Sequence, residues 1–342
     1  MEHAPFSNRG LEQDQLEKER SLVLKSIDGV QEAVKEINFK IIDDILFDVF
    51  TKVYPSLSKE QIQEEYSLDG VYPISVKYSE QLNLNHYGEF SQQGEAPAAY
   101  SHFPNIVVHA REIVDNEGNL TQENKLYLIK VIIHEIMHHM SFNVKRQEGK
   151  EDSKLHYGLH FENESSSSET EANPFVLLDE AMTEIIADSV YSEYFARSGT
   201  VSQYEEKKKW YKQPHFIDRN ATYISERMAL MSFVDLTAKY SMIPEEKVYQ
   251  ALVVEYFTSG DLSRSEILNA IKDEPDIVEF LNKLKQNDPL LFQELPEEKQ
   301  LEVLVFLDMK QLTPVKAIFG RDYVGEVNQR RKKEKKFFNV LR

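Results

Sequence analysis

The apolar positions near the start of the chain repeat with helical spacing. They alternate steps of four and three residues, which places them along one face of an α-helix. These positions are Val23, Ile27, Val30, Val34, Ile37 and Ile41. The pattern predicts one long helix from Leu16 to the break at Tyr54-Pro55-Ser56, followed by a short helix over residues 58–66. We therefore expect residues 1–70 to form an N-terminal helical region.

The pattern then changes to short runs typical of strands. Alternating Ile74, Val76 and Tyr78 predict one strand, and the apolar run 105–109 predicts another. Several Gly and Pro residues indicate that 85–104 is rich in loops, and the run 116–119 is typical of a turn.

Two longer apolar segments predict buried helices. The first begins near a capping Asn119 or Thr121 and runs to about Phe142, with apolar residues around most of its circumference. The second runs from about Val176 to Ala196. Between them, residues 145–174 are polar and predict a solvated loop, with a brief strand from Leu155 to Phe161.

From Tyr223 onward, prolines and glycines separate short segments whose residue pattern is typical of helices. The sequence therefore predicts an α+β fold that is predominantly helical. We expect three regions, which are the N-terminal helices (1–70), a central domain (71–240) and a C-terminal helical region (241–342).

Composition excludes several classes of function. A chain of 342 residues with 41% hydrophobic residues can bury a core, and its net charge of -18 disfavours nucleic acids and anionic membranes as partners. The absence of cysteine excludes disulfides, thiol nucleophiles and thiolate metal sites. Because no signal-like or membrane-spanning apolar segment is present, we expect a soluble, cytoplasmic protein, with export by a non-classical route left open.

Candidate chemistry lies near the end of the first apolar helix, in the run His134-Glu135-Ile136-Met137-His138. Histidines four residues apart share one helix face and can reach a single ion, for which Zn²⁺ fits because it accepts neutral imidazoles. Glu135 stands where a carboxylate can take a proton from metal-bound water. His139 lies about 100° further round the helix, so we expect it not to share the ion.

A catalytic zinc site needs a third protein ligand. The sequence has no third His soon after His138 and no Gly three residues beyond it, which disfavours a metzincin-type site. Downstream, Glu180 and Glu184 are four residues apart and share a helix face. One of these carboxylates can bind the metal while the other accepts the second N–H of a ligand histidine.

With these two motifs the sequence resembles the gluzincins, metallopeptidases with His-Glu-x-x-His and a later Glu ligand. Their second motif is similar to Asp179-Glu180-Ala181-Met182-Thr183-Glu184. The resemblance implies a zincin-like domain with a small mixed sheet and an active-site helix, Zn²⁺ as cofactor, Glu180 as third ligand and Glu184 orienting His134. It covers about residues 100–240, and the hairpin around Gly158 is similar to one in compact bacterial members, the minigluzincins.

The same resemblance implies further roles. Gluzincins use a downstream Tyr or His to stabilise the oxyanion, and the candidates are Tyr191, Tyr194, Tyr211, His215 and Tyr223. We select Tyr223, because the helix that it opens resembles the one after the ligand helix in compact members. The strand from Asn105 through Val107 to His109 is implied to be the edge that pairs with the substrate backbone.

The leading hypothesis is therefore a zinc-dependent metallopeptidase acting on a peptide or protein substrate. A catalytically silent scaffold or regulator is one alternative, although such a protein does not need Glu135. Another is an effector or toxin that cuts one protein, with the terminal helical regions binding a protein partner. A third possibility is that the N-terminal segment, or the long insert before Glu180, covers the active-site cleft and keeps the enzyme latent.

Overall fold

A computed structural model describes residues 9–66, 68, 70, 72–78, 98–101, 105–146, 153–163, 175–198, 224–258, 262, 265–285 and 312–320. Helices predominate, accompanied by two three-stranded sheets, which confirms the predominantly helical α+β class. Over these residues no helix has the length and apolar content required to cross a membrane. The contacts divide the chain into one unit of residues 1–40 and 70–136 and a second unit of residues 41–69 and 137–342.

The first unit contains a long helix, a sheet and most of the helix with the two histidines. Its elements are α1 (Arg9–Lys35), β1 (Ile74–Lys77), β2 (Ala98–Ser101), β3 (Asn105–His109), α4 (Ala110–Ile113) and α5 (Gln122–Ser141), of which α5 continues into the second unit. Helix α1 packs against α4 and β1.

The predicted single N-terminal helix is in fact two helices. Helix α1 ends at Lys35 and α2 (Phe39–Val53) begins after a turn. The amide of Phe39 donates to the carbonyl of Ile37 at 3.1 Å, which interrupts the helical i to i−4 pattern. Asn38, just before α2, is of a type that favours helix starts over helix interiors, while Ile37 stays buried and so keeps the apolar periodicity through the break.

The sheet of the first unit is small and mixed, with the strand order β1-β3-β2. Strand β3 pairs in parallel with β1 and antiparallel with β2, which lies in a segment expected to be rich in loops. Because both neighbours pair with β3, the expectation that Asn105, Val107 and His109 form a sheet edge is wrong. Ile106 and Val108 are buried, as a central strand requires.

A tight turn leads from this sheet to α5. One carboxylate oxygen of Asp115 accepts from the amides of Glu117 and Asn119, at 2.9 and 2.8 Å, and Gly118 has the positive φ of 73° that the turn needs. Thr121 then caps α5, because its Oγ1 accepts from the amide of Asn124 at 3.1 Å. The predicted turn and one of the two predicted caps are thus confirmed.

The second unit is a helical assembly with one antiparallel sheet. Its helices are most of α2, then α3 (Lys59–Glu65), α6 (Val176–Ser198), α7 (Ile224–Ser241), α8 (Glu245–Thr258), α9 (Glu266–Ile271), α10 (Pro275–Lys285) and α11 (Leu312–Phe319). Helix α6 packs against α7, and α8 packs against α6, α7 and α11. The helix predicted over 176–196 is confirmed.

The chain leaves α5 directly into a three-stranded meander of β4 (Phe142–Arg146), β5 (Ser153–Tyr157) and β6 (His160–Asn163). The predicted hairpin is confirmed as β5 and β6, which pair from Lys154↔Asn163 to Tyr157↔His160 and turn at residues 158–159. Strand β4 differs from the prediction, which ends the helix near Phe142 and makes residues 145–174 a solvated loop. Phe142 and Val144 alternate with polar residues, but this run is too short and too close to the end of α5 to indicate a strand by itself.

The turn of this hairpin requires glycine. Gly158 has a φ of 53°, and a Cβ there would lie 1.9 Å from Oδ1 of Asp179 and 2.5 Å from Cε2 of Tyr256. Gly158→Ala is expected to reduce the free energy of unfolding by about 2–4 kcal/mol, because it combines an unfavourable φ with steric overlap in the core.

The matched control is Gly29→Ala in α1, where the added Cβ meets nothing within 4 Å. This substitution is expected to stabilise by about 0.5–1 kcal/mol, since glycine is a poor residue for a helix interior. Urea denaturation of both variants measures the two changes in the free energy of unfolding. Equal losses of stability would contradict the requirement for glycine at position 158.

Candidate metal centre

Helix α5 places His134 and His138 on one face, as their spacing predicts. They are 7% and 6% exposed, and several apolar side chains near them on the helix are fully buried, among them Ile133, Ile136 and Met137. A buried imidazole must have polar partners, because burial without one costs free energy. Both imidazoles therefore lie in the interior of the protein, where they require polar partners.

Helix α6 brings a carboxylate to these histidines. Oε2 of Glu180 lies 3.5 Å from Nε2 of His138, and one ligand atom from each of His134, His138 and Glu180 lies within 4.8 Å of the other two. Two imidazole nitrogens and one carboxylate oxygen are a donor set that divalent transition metals accept. The three residues fit a metal ion and could hold one.

His139 is not a member of this group of three. It is half-buried, and burial lowers the pKa of its imidazole. This agrees with the expected position away from the ion-binding face.

Glu135 is buried at 8% exposure, next to the first histidine. A carboxylate in such a position is shielded from bulk water and can exchange protons with a group bound beside it.

Asp179 opens the second motif and is fully buried. Its Oδ1 accepts from the amide of Leu159 at 2.6 Å, which fastens the turn of the β5–β6 hairpin to α6. The carbonyl of Leu159 in turn accepts from the amide of Leu262, at 3.4 Å. The first residue of the motif thus holds the hairpin, one position before the candidate ligand Glu180.

Glu184 contacts a residue that the sequence analysis did not single out. Nη2 of Arg227 on α7 donates to Oε1 of Glu184 and also to Oδ2 of Asp188, at 2.9 Å. Arg227 is only 11% exposed, so this is a largely buried ion cluster between α6 and α7. The expected role of Glu184 in orienting His134 stays a prediction.

Tyr256 on α8 is a second such residue. Its hydroxyl lies 2.7 Å from Oγ1 of Thr183 and donates to the carbonyl of Met137 at 3.3 Å. Burial, and secondarily the charge of Asp179, raises the pKa of the phenol well above its ordinary value, so the hydroxyl is neutral. No sequence signal identifies this residue, since it is 119 positions from Met137 and belongs to no motif.

The oxyanion candidates fall into two groups. Tyr191 and Tyr194 are buried and pack edge-on against the ring of Phe195, so both belong to the core of the second unit. Tyr211, His215 and Tyr223 lie outside the described residues. The assignment of Tyr223 therefore stays a prediction.

In comparison with known proteins, no family model, no curated protein and no solved structure matches this chain. A functional assignment therefore depends on the motifs and on the geometry described above.

The cluster of Arg227, Glu184 and Asp188 yields a stability test. Arg227→Met keeps most of the aliphatic stem but removes the charge, so two largely buried carboxylates lose their common cation. We expect the free energy of unfolding to fall by about 3–5 kcal/mol, as when one partner of a buried pair is removed.

Lys283→Met is the control, because Lys283 pairs with Glu279 at 2.7 Å on the surface of α10 with 49% and 67% exposure. Its expected effect is at most about 0.5 kcal/mol. Chemical denaturation of both variants tests the contrast, and a loss below about 1 kcal/mol for Arg227→Met would refute a buried cluster.

Proposed function

We propose that this protein is a zinc-dependent metallopeptidase of the gluzincin type, with a zincin-like catalytic domain. The observation that supports the proposal is the convergence of His134, His138 and Glu180, which belong to two separate motifs, into a group whose ligand atoms lie within 4.8 Å of one another. The adjacent Glu135 adds a proton acceptor, which a purely structural metal site does not need.

Zinc is the metal that suits this donor set best. Catalytic zinc sites use three protein ligands, with two His and one Glu as a common combination, and leave one position open. Ligand atoms about 2.0–2.1 Å from a tetrahedral zinc lie roughly 3.3 Å from each other. The 3.5 Å between Nε2 of His138 and Oε2 of Glu180 is close to this value, and the ligand atoms of all three residues lie within 4.8 Å of one another.

When bound, zinc supplies a Lewis acid that polarises the peptide carbonyl and lowers the pKa of water. The chain supplies the proton transfers. The carboxylate of Glu135 accepts a proton from the attacking water and passes it to the nitrogen of the leaving amine. Tyr223 is the proposed donor to the oxyanion that forms on the attacked carbonyl.

The substrate is proposed to be a peptide segment bound in extended form. Such segments add to a sheet by pairing with an edge strand. Because β3 is central, we assign this role to β1 or β2, the two edge strands of the same sheet among the described residues.

The decisive experiment combines metal analysis with Glu135→Gln. We expect the parent to contain one zinc per chain, and the variant to keep that zinc but lose about 10²–10⁴-fold in peptidase activity, because the amide cannot accept the proton. Elemental analysis and hydrolysis of a peptide library provide the two measurements.

Glu123→Gln is the matched control, since Glu123 lies in the first turn of the same helix. It should leave both zinc content and activity unchanged. A parent without zinc would refute the proposal, and full activity of Glu135→Gln would refute the role of Glu135. Stoichiometric zinc without hydrolysis of the library would point to the scaffold or to a protease with one protein substrate.

The third ligand has its own test. Glu180→Ala removes the anionic donor, and we expect zinc affinity to fall by more than about 100-fold, beyond the 10–100-fold typical of groups that only support a ligand. Competition with a chromogenic chelator measures the affinity.

Glu193→Ala is the control, because Glu193 lies on the same helix and its carboxylate pairs instead with Arg197 at 3.0 Å. Its zinc affinity should equal that of the parent. Equal affinities of the Glu180→Ala variant and the parent would show that another residue completes the metal site.

A further inference from the structure

Helix α8 belongs to the C-terminal helical region and carries none of the motif residues. We propose that its Tyr256 is a positioning residue of the metal centre, whose hydroxyl ties the last turns of α5 to α6 and so holds His138 and Glu180 at the separation that a metal needs. This inference rests on the proposed metal site and concerns what maintains its geometry.

The hydrogen bonds of Tyr256 reach residues that flank the ligands. Thr183, at 2.7 Å, lies between Glu180 and Glu184, and the carbonyl of Met137, at 3.3 Å, precedes His138. A hydroxyl has one proton to donate and lone pairs to accept with, so Tyr256 can donate to Met137 while it accepts from Thr183. One side chain thereby connects both metal-binding helices.

Ser141 bonds to the same end of α5. Its hydroxyl donates to the carbonyl of His138 at 3.1 Å, within the last turn of the helix. Tyr256 reaches this turn through its bond to the carbonyl of Met137, the residue before His138.

Burial makes these bonds difficult to replace. Tyr256 and Thr183 are both fully buried. Removal of the phenol oxygen leaves the Thr183 hydroxyl without this partner in a place that water does not reach, which costs more than the loss of an exposed bond.

The ring of Tyr256 is fixed from two directions. On one side it lies against the backbone of Gly158, where a Cβ would approach its Cε2 to 2.5 Å. It also packs edge-on against the ring of Phe257, with the centroids 4.9 Å apart. Phe257 in turn packs edge-on against Phe50 of α2, and its carbonyl accepts from the hydroxyl of Tyr54 at 2.6 Å. A residue held this firmly can impose a fixed separation on the groups that it bonds.

The test is the zinc affinity of Tyr256→Phe, which keeps the ring and removes only the hydroxyl. We expect the dissociation constant to rise roughly 10-fold, at the low end of what loss of a supporting group causes. Tyr249→Phe is the matched control, because Tyr249 is a buried tyrosine of the same helix whose charged neighbours are Glu245 and Asp235, away from both motifs. Its dissociation constant should stay within about twofold of the parent.

A double-mutant cycle isolates the bond itself. Thr183→Val should weaken zinc binding to a similar degree, Thr183→Ser should retain the parental affinity, and Thr183→Val with Tyr256→Phe should cost less than the sum of the two. The visible spectrum of bound Co²⁺ provides a readout of ligand geometry, and it should change in Tyr256→Phe but not in Tyr249→Phe. All measurements use folded full-length chain, well below its melting temperature.

The outcomes separate this inference from the proposed function. A Tyr256→Phe variant that melts earlier yet binds zinc within twofold of the parent would show a purely structural role and overturn the inference alone. Equal weakening by Tyr256→Phe and Tyr249→Phe would also overturn it. A parent chain that binds no zinc would overturn the inference together with the metal site.

Discussion

The burial of ionisable groups between apolar helices is the constraint on which this structure depends. His134, Glu135 and His138 are all less than 9% exposed on a helix whose neighbouring side chains are aliphatic. Polar groups in such surroundings destabilise the fold unless they are bonded to one another or to an ion. Burial of these three residues therefore points to a bonded group or an ion site, whereas the same residues on a solvated helix face would not.

Buried polar residues of the second motif meet this constraint by bonding to other elements of the second unit. Asp179 accepts from the hairpin turn, Thr183 bonds to Tyr256, and Glu184 accepts from Arg227. Asp179 lies one turn before the adjacent Thr183 and Glu184, so two successive turns of α6 are bonded to three different parts of the second unit. A carboxylate placed among such contacts has little freedom to change its rotamer, which is what a preorganised ligand requires.

How much of this the sequence predicts depends on the range of the interaction. The i, i+4 spacing of the two histidines, the cap at Thr121 and the buried helices α5 and α6 are local, so periodicity and capping rules predict them. The break before Phe39 is masked by an apolar pattern that continues through it. The central position of β3, and the contacts of Arg227 and Tyr256, depend on chain segments far apart in sequence, and no local pattern records them.

The packing of α8 has a consequence for how the chain can be divided. A fragment limited to residues 71–240 keeps His134, His138 and Glu180 but lacks Val248, Leu252 and Tyr256, which are fully buried in the second unit. The faces of α6 and α7 that α8 covers would then be open to water, and an apolar surface of that kind favours self-association. Solubility of a fragment that carries the candidate metal ligands thus depends on α8, a helix that contributes none of those three residues.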